Sequence, residues 1–165
     1  MKGKKNWRLT KTLARNVTFR PIEGADVKYA WAAYRLGKLD DIGFQQGLDA
    51  AQFKSEFERF VIGNAHAAWT IITSKPVGFV LGTWGPFSAY MIISAIIWFP
   101  WATKRNIVEG AVSFFNWIRK EIPVMGFATD DHRPAYDMCC AHGIMSRVGT
   151  SHCMGRKLAV FESRK

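Results

Sequence analysis

The chain has 165 residues, of which 48% are hydrophobic and 22% are charged, a balance typical of a folded domain and not of a disordered chain. Its 23 Lys and Arg residues against 13 Asp and Glu residues give a formal net charge of +10, which favours anionic partners. The longest apolar run, 90–101, is interrupted by Ser94 and Pro100 and is too short for a membrane span, so none is expected.

Residues 1–15 form a basic N-terminal arm that contains no acidic residue. Its cations are Lys2, Lys4, Lys5, Arg8, Lys11 and Arg15. Such an arm predicts salt-dependent binding to nucleic acid or to an acidic protein, and a solvated terminus without a partner is the alternative. No secretory leader pattern follows the arm, and the three cysteines, an odd number, fit a reducing compartment. We therefore expect a cytoplasmic protein with a single domain over 16–165.

The first part of the domain is predicted to contain one strand followed by two helices. Residues 16–22 alternate as a half-buried strand does. Asp26 is the expected N-cap of a first helix, which ends near Gly37. Residues 39–52 have weak periodicity and are expected to form a loop or a short helix. A second short helix is then indicated by apolar residues on one face, namely Phe53, Phe57, Phe60 and Val61.

The second part of the domain is predicted to contain six strands and two helices. The predicted strands are 67–73, 77–85, 90–99, 124–129, 146–153 and 156–161. The helices are 134–142 and a segment that follows the third of these strands. That segment buries Ile107, Ala111, Phe114, Phe115 and Ile118. The order β-α-α-β-β-β-α-β-α-β-β predicts an α/β protein built on a mixed sheet.

This order and three local motifs resemble the GCN5-related N-acetyltransferase (GNAT) family. FRPIEGAD, residues 19–26, is similar to that family's first strand and turn. HRPAYDMCCAHGI, residues 132–144, matches the spacing of its late helix, with Ala135 and Gly143 in place and Cys139 where the family usually has Tyr. The resemblance implies an α/β (α+β) fold with a mixed, mostly antiparallel central sheet flanked by about four helices.

The third motif is the turn that follows the strand 90–99. In the GNAT family, a glycine-rich loop at this place cradles the pyrophosphate of acyl-CoA with backbone N–H groups, so the resemblance implies acetyl-CoA as the cofactor. Here Thr103 replaces the usual Arg, and Asn106 and Val108 stand at glycine positions. The cofactor-binding residues implied by the resemblance are Ile97, Trp98, Phe99, Thr103, Lys104, Arg105, Asn106, Ile107 and Val108.

The same turn also supports a purely structural interpretation. Asn106 precedes Glu109 by three positions, which is the spacing of a capping box that begins a helix at Asn106. Glu109 would then place a carboxylate where a phosphate should bind, and Lys104 and Arg105 would compensate in part. Val108 is β-branched and adopts a positive φ only at a cost. The sequence leaves both interpretations open.

Acetyl transfer to an amine requires a hydrogen-bond donor for the developing oxyanion and an acid for the leaving thiolate. Backbone N–H groups in 97–99 are expected to supply the donor. By the resemblance, Cys139 stands at the position of the acid, although a small core residue is the alternative for it. Tyr136 is a substitute, and Asp130 is a carboxylate that could accept a proton. No metal site is expected, because the His and Cys residues lack zinc-ligand spacing.

We therefore expect an acyl-CoA-dependent N-acyltransferase that moves an acetyl group to an unidentified amine. The alternative is a catalytically inactive GNAT-fold protein that serves as a structural or nucleic-acid-associated component of a phage virion. The glycine-poor loop, the missing Tyr and the basic arm are similar to acetyltransferase-like proteins of tailed bacteriophages. The expected location is the host cytoplasm in the first case and the virion in the second.

Overall fold

The computed structural model describes residues 16–64, 66–129 and 133–164. Within these residues, seven strands and four α-helices follow one another in the predicted order. The strands are Thr18–Pro21 (β1), Ala68–Ile72 (β2), Pro76–Trp84 (β3), Met91–Trp98 (β4), Val124–Ala128 (β5), Met145–Cys153 (β6) and Arg156–Ser163 (β7). The helices are Val27–Tyr34 (α1), Ala50–Asn64 (α2), Lys104–Ile118 (α3) and Arg133–Ala141 (α4).

The strands form one seven-stranded sheet in the order β1-β2-β3-β4-β5-β7-β6. All neighbouring strands are antiparallel except β4 and β5, which run parallel. Parallel neighbours need a crossover, and α3 supplies it. The prediction of a mixed, mostly antiparallel sheet with four helices is confirmed. In the part of the chain described above, every helix is too short or too polar to span a bilayer.

The helices cover the two faces of the sheet with separate hydrophobic cores. α1 and α2 pack on β2, β3 and β4, and aromatic rings such as Phe53 and Phe57 fill that core. α3 and α4 pack on the other face, where Phe114, Phe115 and Phe161 are fully buried. Large aromatic rings contribute the greatest apolar area per residue to such cores. The apolar faces predicted for α2 and α3 are therefore the faces that are buried.

α2 begins earlier than the sequence pattern indicates, within the segment predicted to be a loop or a short helix. Asp49 and Gln52 form a reciprocal capping box in which Asp49 Oδ1 accepts from Gln52 N (2.8 Å) and Gln52 Oε1 accepts from Asp49 N (2.9 Å). These two bonds satisfy N–H groups that the first turn leaves without a helical partner. The helix therefore begins at Ala50.

Asp26 precedes α1 as predicted, but its carboxylate does not cap that helix. It is fully buried and accepts hydrogen bonds from the Arg20 guanidinium (2.7 and 2.9 Å), Thr70 Oγ1 (2.8 Å) and Glu23 N (3.0 Å). The expectation of an N-cap side chain is wrong because these groups saturate the carboxylate. The FRPIEGAD segment thus joins β1, the following turn and β2 through one buried ionic network.

Candidate active site

β4 and β5 separate towards their carboxyl ends. The two strands pair only through residues 91–93 and 124–126, whereas β4 continues to Trp98. The register of β4 against β3 shifts between Ile93 and Ala95, which leaves a bulge at the point where pairing with β5 stops. A bulge bends its strand and raises the local twist, so it directs the end of β4 away from β5.

The gap between these strands opens into a cleft of about 640 Å³, a volume in the range of small-molecule sites. One wall is formed by residues 93–98 of β4, and the other by Phe127, Thr129 and residues 134–136 at the start of α4. The loop after α1, Ile107 of α3 and Arg156 of β7 complete it. Apolar groups form slightly more than half of this lining.

The backbone of β4 presents an N–H group to the cleft. Phe99 N donates to Val77 O of β3 (2.9 Å), and the register pairs Ile97 with Phe79 in the same ladder. Because alternate residues of an antiparallel strand face opposite neighbours, Phe99 and Ile97 direct their N–H groups to β3, and Trp98 directs its own into the gap. Of the donors predicted in 97–99, Trp98 is the one that faces the cleft.

The indole of Trp98 is held between two glycines. A Cβ added at Gly78 would lie 2.9 Å from the ring, and one added at Gly110 would lie 3.0 Å from it. Both distances are closer than carbon atoms normally approach, so a side chain at either position would displace the ring. β3, β4 and α3 therefore meet tightly at this wall of the cleft.

The turn between β4 and α3 is fixed by Trp101, a residue for which the sequence offered no clear role. Its Nε1 donates to Pro76 O (2.8 Å), and the Lys75 ammonium lies 5.0 Å from the ring centroid. The ring also contacts Phe99 and Tyr29 at centroid distances of 5.2 and 5.9 Å. Packing therefore accounts for this aromatic residue.

α3 begins at Lys104, with Thr103 as its N-cap. Thr103 Oγ1 accepts from Asn106 N and Asn106 Oδ1 accepts from Thr103 N, both at 3.1 Å, which completes a capping box. The expectation that Asn106 caps the helix with Glu109 as its partner is wrong, because Thr103 is the last extended residue (φ −78°, ψ 163°) and Asn106 already lies in the first turn.

Glu109 and Val108 have structural roles within α3. Glu109 is buried and forms an ion pair with Arg105 one turn earlier, which gives the buried carboxylate the partner it needs. Val108 is half-buried against the core under α3. No residue in 98–110 has a positive φ, so the β-branched side chain is not strained there.

The residues predicted to bind a cofactor fall into three groups. Ile97, Trp98 and Ile107 line the cleft. Phe99 is buried in the core under α1 and α2. The others lie at or near the start of α3, where Thr103, Lys104 and Arg105 are exposed and Asn106 and Val108 are half-buried.

Tyr136 is the candidate acid that lines the cleft. Its ring lies directly over Gly126, where an added Cβ would be 2.1 Å from Tyr136 Cε1, and it stacks on Phe161 at 4.9 Å. Tyr136 is almost fully buried, its hydroxyl has no hydrogen-bond partner among the described residues, and a Cβ added at Gly126 would lie 2.8 Å from that hydroxyl. Burial raises the pKa of Tyr136, and the phenol therefore stays protonated at neutral pH.

The other catalytic candidates lie elsewhere. Cys139 is fully buried in the core between α4 and the sheet, does not line the cleft, and has a thiol whose pKa is raised by that burial. Asp130 lies outside the described residues. Within those residues, no cluster of His, Cys, Asp and Glu has the composition to hold a metal ion.

Neither a protein-family model nor a curated protein matches this sequence. Solved structures match its fold. A GNAT-family acetyltransferase from Bacillus anthracis has a TM-score of 0.64 and 14% identity, over 90% of this chain and 94% of that one. A GNAT-family acetyltransferase from Bacillus cereus has a TM-score of 0.60 and 12% identity, over 90% and 97%. The aminoglycoside acetyltransferase AAC(6')-Ib, in complex with coenzyme A and kanamycin, has a TM-score of 0.61 and 11% identity, over 89% and 94%. At these identities the similarity shows that the chain has the GNAT fold.

Proposed function

We propose that this GNAT-fold protein is an acyl-CoA-dependent N-acyltransferase that moves an acetyl group to an amine. The cleft between the splayed ends of β4 and β5 carries this proposal, because the Trp98 N–H faces it from one wall and Tyr136 lines the other. The acetyltransferase of the same fold that was solved with coenzyme A and kanamycin supports a thioester donor and an amine acceptor.

The cleft fits the thioester end of the donor. Its lining includes an apolar strip, Ile97, Trp98 and Ile107, which suits a pantetheine arm. Lys104 and Arg105, which are exposed at the start of α3, are the cations nearest in sequence to this strip. When bound, acetyl-CoA supplies an acetyl group activated as a thioester.

The reaction forms an acetyl C–N bond, breaks the acetyl C–S bond and transfers a proton to the departing sulfur. The Trp98 N–H donates a hydrogen bond to the oxygen on which negative charge develops. The Tyr136 hydroxyl donates a proton to sulfur and is reprotonated from solvent, and the amine releases its own proton to solvent at the open side of the cleft. Because burial raises the pKa of Tyr136, we expect the donating form to persist beyond the usual tyrosine pKa of about 10 and activity to fall only at higher pH.

Calorimetry with acetyl-CoA tests the cofactor, and a Tyr136→Phe variant tests the acid. We expect the variant to bind acetyl-CoA with unchanged affinity and to release CoA about 100-fold more slowly in the presence of ethanolamine, spermidine or kanamycin. Tyr90→Phe, at the opposite end of β4, is the matched control and should keep its rate. Cys139→Ala should also keep its rate. A loss of rate in Cys139→Ala alone would indicate that this thiol, and not Tyr136, is the acid.

A second candidate is a catalytically inactive structural or nucleic-acid-associated component, located in a phage virion and not in the host cytoplasm. The capping box at Thr103 favours it, because internal hydrogen bonds there use N–H groups that a phosphate would need. We also propose that 1–15 act as a basic arm for nucleic acid or an acidic protein, beside a single domain over 16–165. Absence of acetyl-CoA binding at millimolar concentration would favour this candidate, and deletion of 1–15 should then weaken nucleic-acid binding and its salt dependence.

A further inference from the structure

We propose that the protein recognises its acyl donor by the pantetheine arm and a single phosphate, so that an acyl-phosphopantetheine serves as well as acetyl-CoA. This inference rests on the proposed function and concerns the same cleft. It follows from a difference between the two ends of the site in how well they complement CoA. The cleft suits the thioester end of a CoA donor, whereas the start of α3 does not suit its diphosphate.

The hydrogen-bond donors at the start of α3 are largely used within the chain. Thr103 N donates to Asn106 Oδ1, Asn106 N donates to Thr103 Oγ1, and Ile107 N donates to Thr103 O at 3.0 Å. The N–H groups of Lys104 and Arg105 remain, since the first turn of a helix has no earlier carbonyl to receive them. Two adjacent N–H groups can hold one phosphate, but a second phosphate finds no further backbone donor in the first turn of α3.

The backbone is also unable to curl around a second phosphate. Anion-binding nests alternate right-handed and left-handed residues, and 98–110 contains no positive φ. Trp101 fixes the preceding turn through its bond to Pro76 O. Val108 packs on the core under α3, so the helix cannot unwind there without exposing an apolar side chain.

The positive charge available at the start of α3 is likewise enough for only one phosphate. The Arg105 side chain donates to Glu109, a buried carboxylate that offsets its charge. Lys104 is exposed, and among the described residues it makes no ion pair, so its ammonium is free to meet a ligand. One uncommitted cation and two N–H groups complement the phosphate of a phosphopantetheine.

The inference is tested by calorimetry on the unmodified protein with acetyl-CoA, acetyl-phosphopantetheine and acetyl-pantetheine. We expect the first two dissociation constants to agree within about threefold, and acetyl-pantetheine to bind about tenfold more weakly because it lacks the phosphate and its charge-assisted bonds. An affinity for acetyl-CoA about 100-fold higher than for acetyl-phosphopantetheine would overturn the inference and leave the acyltransferase proposal standing. Failure of all three ligands to bind would overturn both.

A Lys104→Gln variant locates the phosphate. We expect it to weaken the binding of acetyl-CoA and of acetyl-phosphopantetheine by the same factor of about five to ten. The affinity for acetyl-pantetheine should stay unchanged. Lys120→Gln, an exposed lysine just beyond the other end of α3, is the matched control and should change none of the three. Equal weakening of all three ligands by Lys104→Gln would contradict a phosphate contact.

An acyl-phosphopantetheine exists either free or attached to a carrier protein, and the same surface would accept both. Transfer of acetyl groups from an acetylated acyl carrier protein, compared with transfer from free acetyl-phosphopantetheine, distinguishes the two sources. Faster transfer from the carrier protein would identify the carrier-bound form as the donor. Faster transfer from the free thioester would identify the free form as the donor. Transfer from neither source, with transfer from acetyl-CoA intact, overturns the inference.

Discussion

Two strand-to-helix junctions in this fold are closed in opposite ways. Between β1 and α1, the buried carboxylate of Asp26 accepts bonds from Arg20, Thr70 and Glu23 N. Between β4 and α3, Thr103 and Asn106 exchange two bonds of 3.1 Å at the surface. One bond of the first network spans 44 positions, whereas the second network is confined to four consecutive residues.

This difference distinguishes a junction that stabilises the whole fold from a junction whose residues can change without loss of the fold. A buried carboxylate with several partners makes its segments interdependent, because the loss of any member leaves charge or polarity without compensation. A surface cap contributes only to its own helix. The first junction retains the family-like Arg-Pro and Asp, while the second departs from the family's glycine-rich loop. The second junction is therefore the one that departs from the family's pattern while the GNAT fold is kept.

The largest effect is expected when the first junction is broken. Asp26→Ala should lower the free energy of unfolding by about 3–5 kcal/mol, because Arg20 loses its buried partner and Thr70 loses its acceptor. Urea denaturation followed by tryptophan fluorescence measures this change. Glu23→Gln is the control, since the Glu23 carboxylate is 57% exposed and lies 3.5 Å from Arg20. The control should cost less than about 1 kcal/mol. Similar losses for the two variants would contradict a special role for the buried carboxylate.

A smaller effect is expected from one donor of the same network. Thr70→Val keeps the shape of a fully buried side chain and removes its bond to Asp26. We expect a loss of about 1–2 kcal/mol in the free energy of unfolding. In an Asp26→Ala background the same substitution should cost nothing or be stabilising, because the hydroxyl has then already lost its acceptor. Additive losses in the double variant would show that the two side chains act independently.

The order of the elements could be predicted from the sequence, because apolar periodicity and turn residues depend on neighbours along the chain. The role of Asp26 could not be predicted in the same way. Its position before an apolar helical segment is that of an N-cap, and nothing local shows that Thr70 of β2 will lie beside it. The motif therefore indicated the fold correctly and the hydrogen bonds incorrectly.

The same limit applies to the candidate site. Motif spacing placed Cys139 at the position of the acid, but Tyr136, which packs over Gly126, is the residue of this pair that lines the cleft. The two side chains share the buried face of α4, and Cys139 lies one turn further along it, in the core. One signal was present in the sequence, because a glycine inside a predicted strand often marks a close approach by another group. The residue that approaches Gly126 could be identified only from the folded structure.

The smallest effect is expected at the second junction. Thr103→Ala removes one half of the capping box and should lower the free energy of unfolding by about 1 kcal/mol, while Thr103→Ser, which keeps the acceptor oxygen, should lose only a few tenths of that amount. Both values come from the same urea titrations as the Asp26 series. A loss as large as that of Asp26→Ala would mean that this junction, too, holds the fold together, and the contrast between the two junctions would not stand.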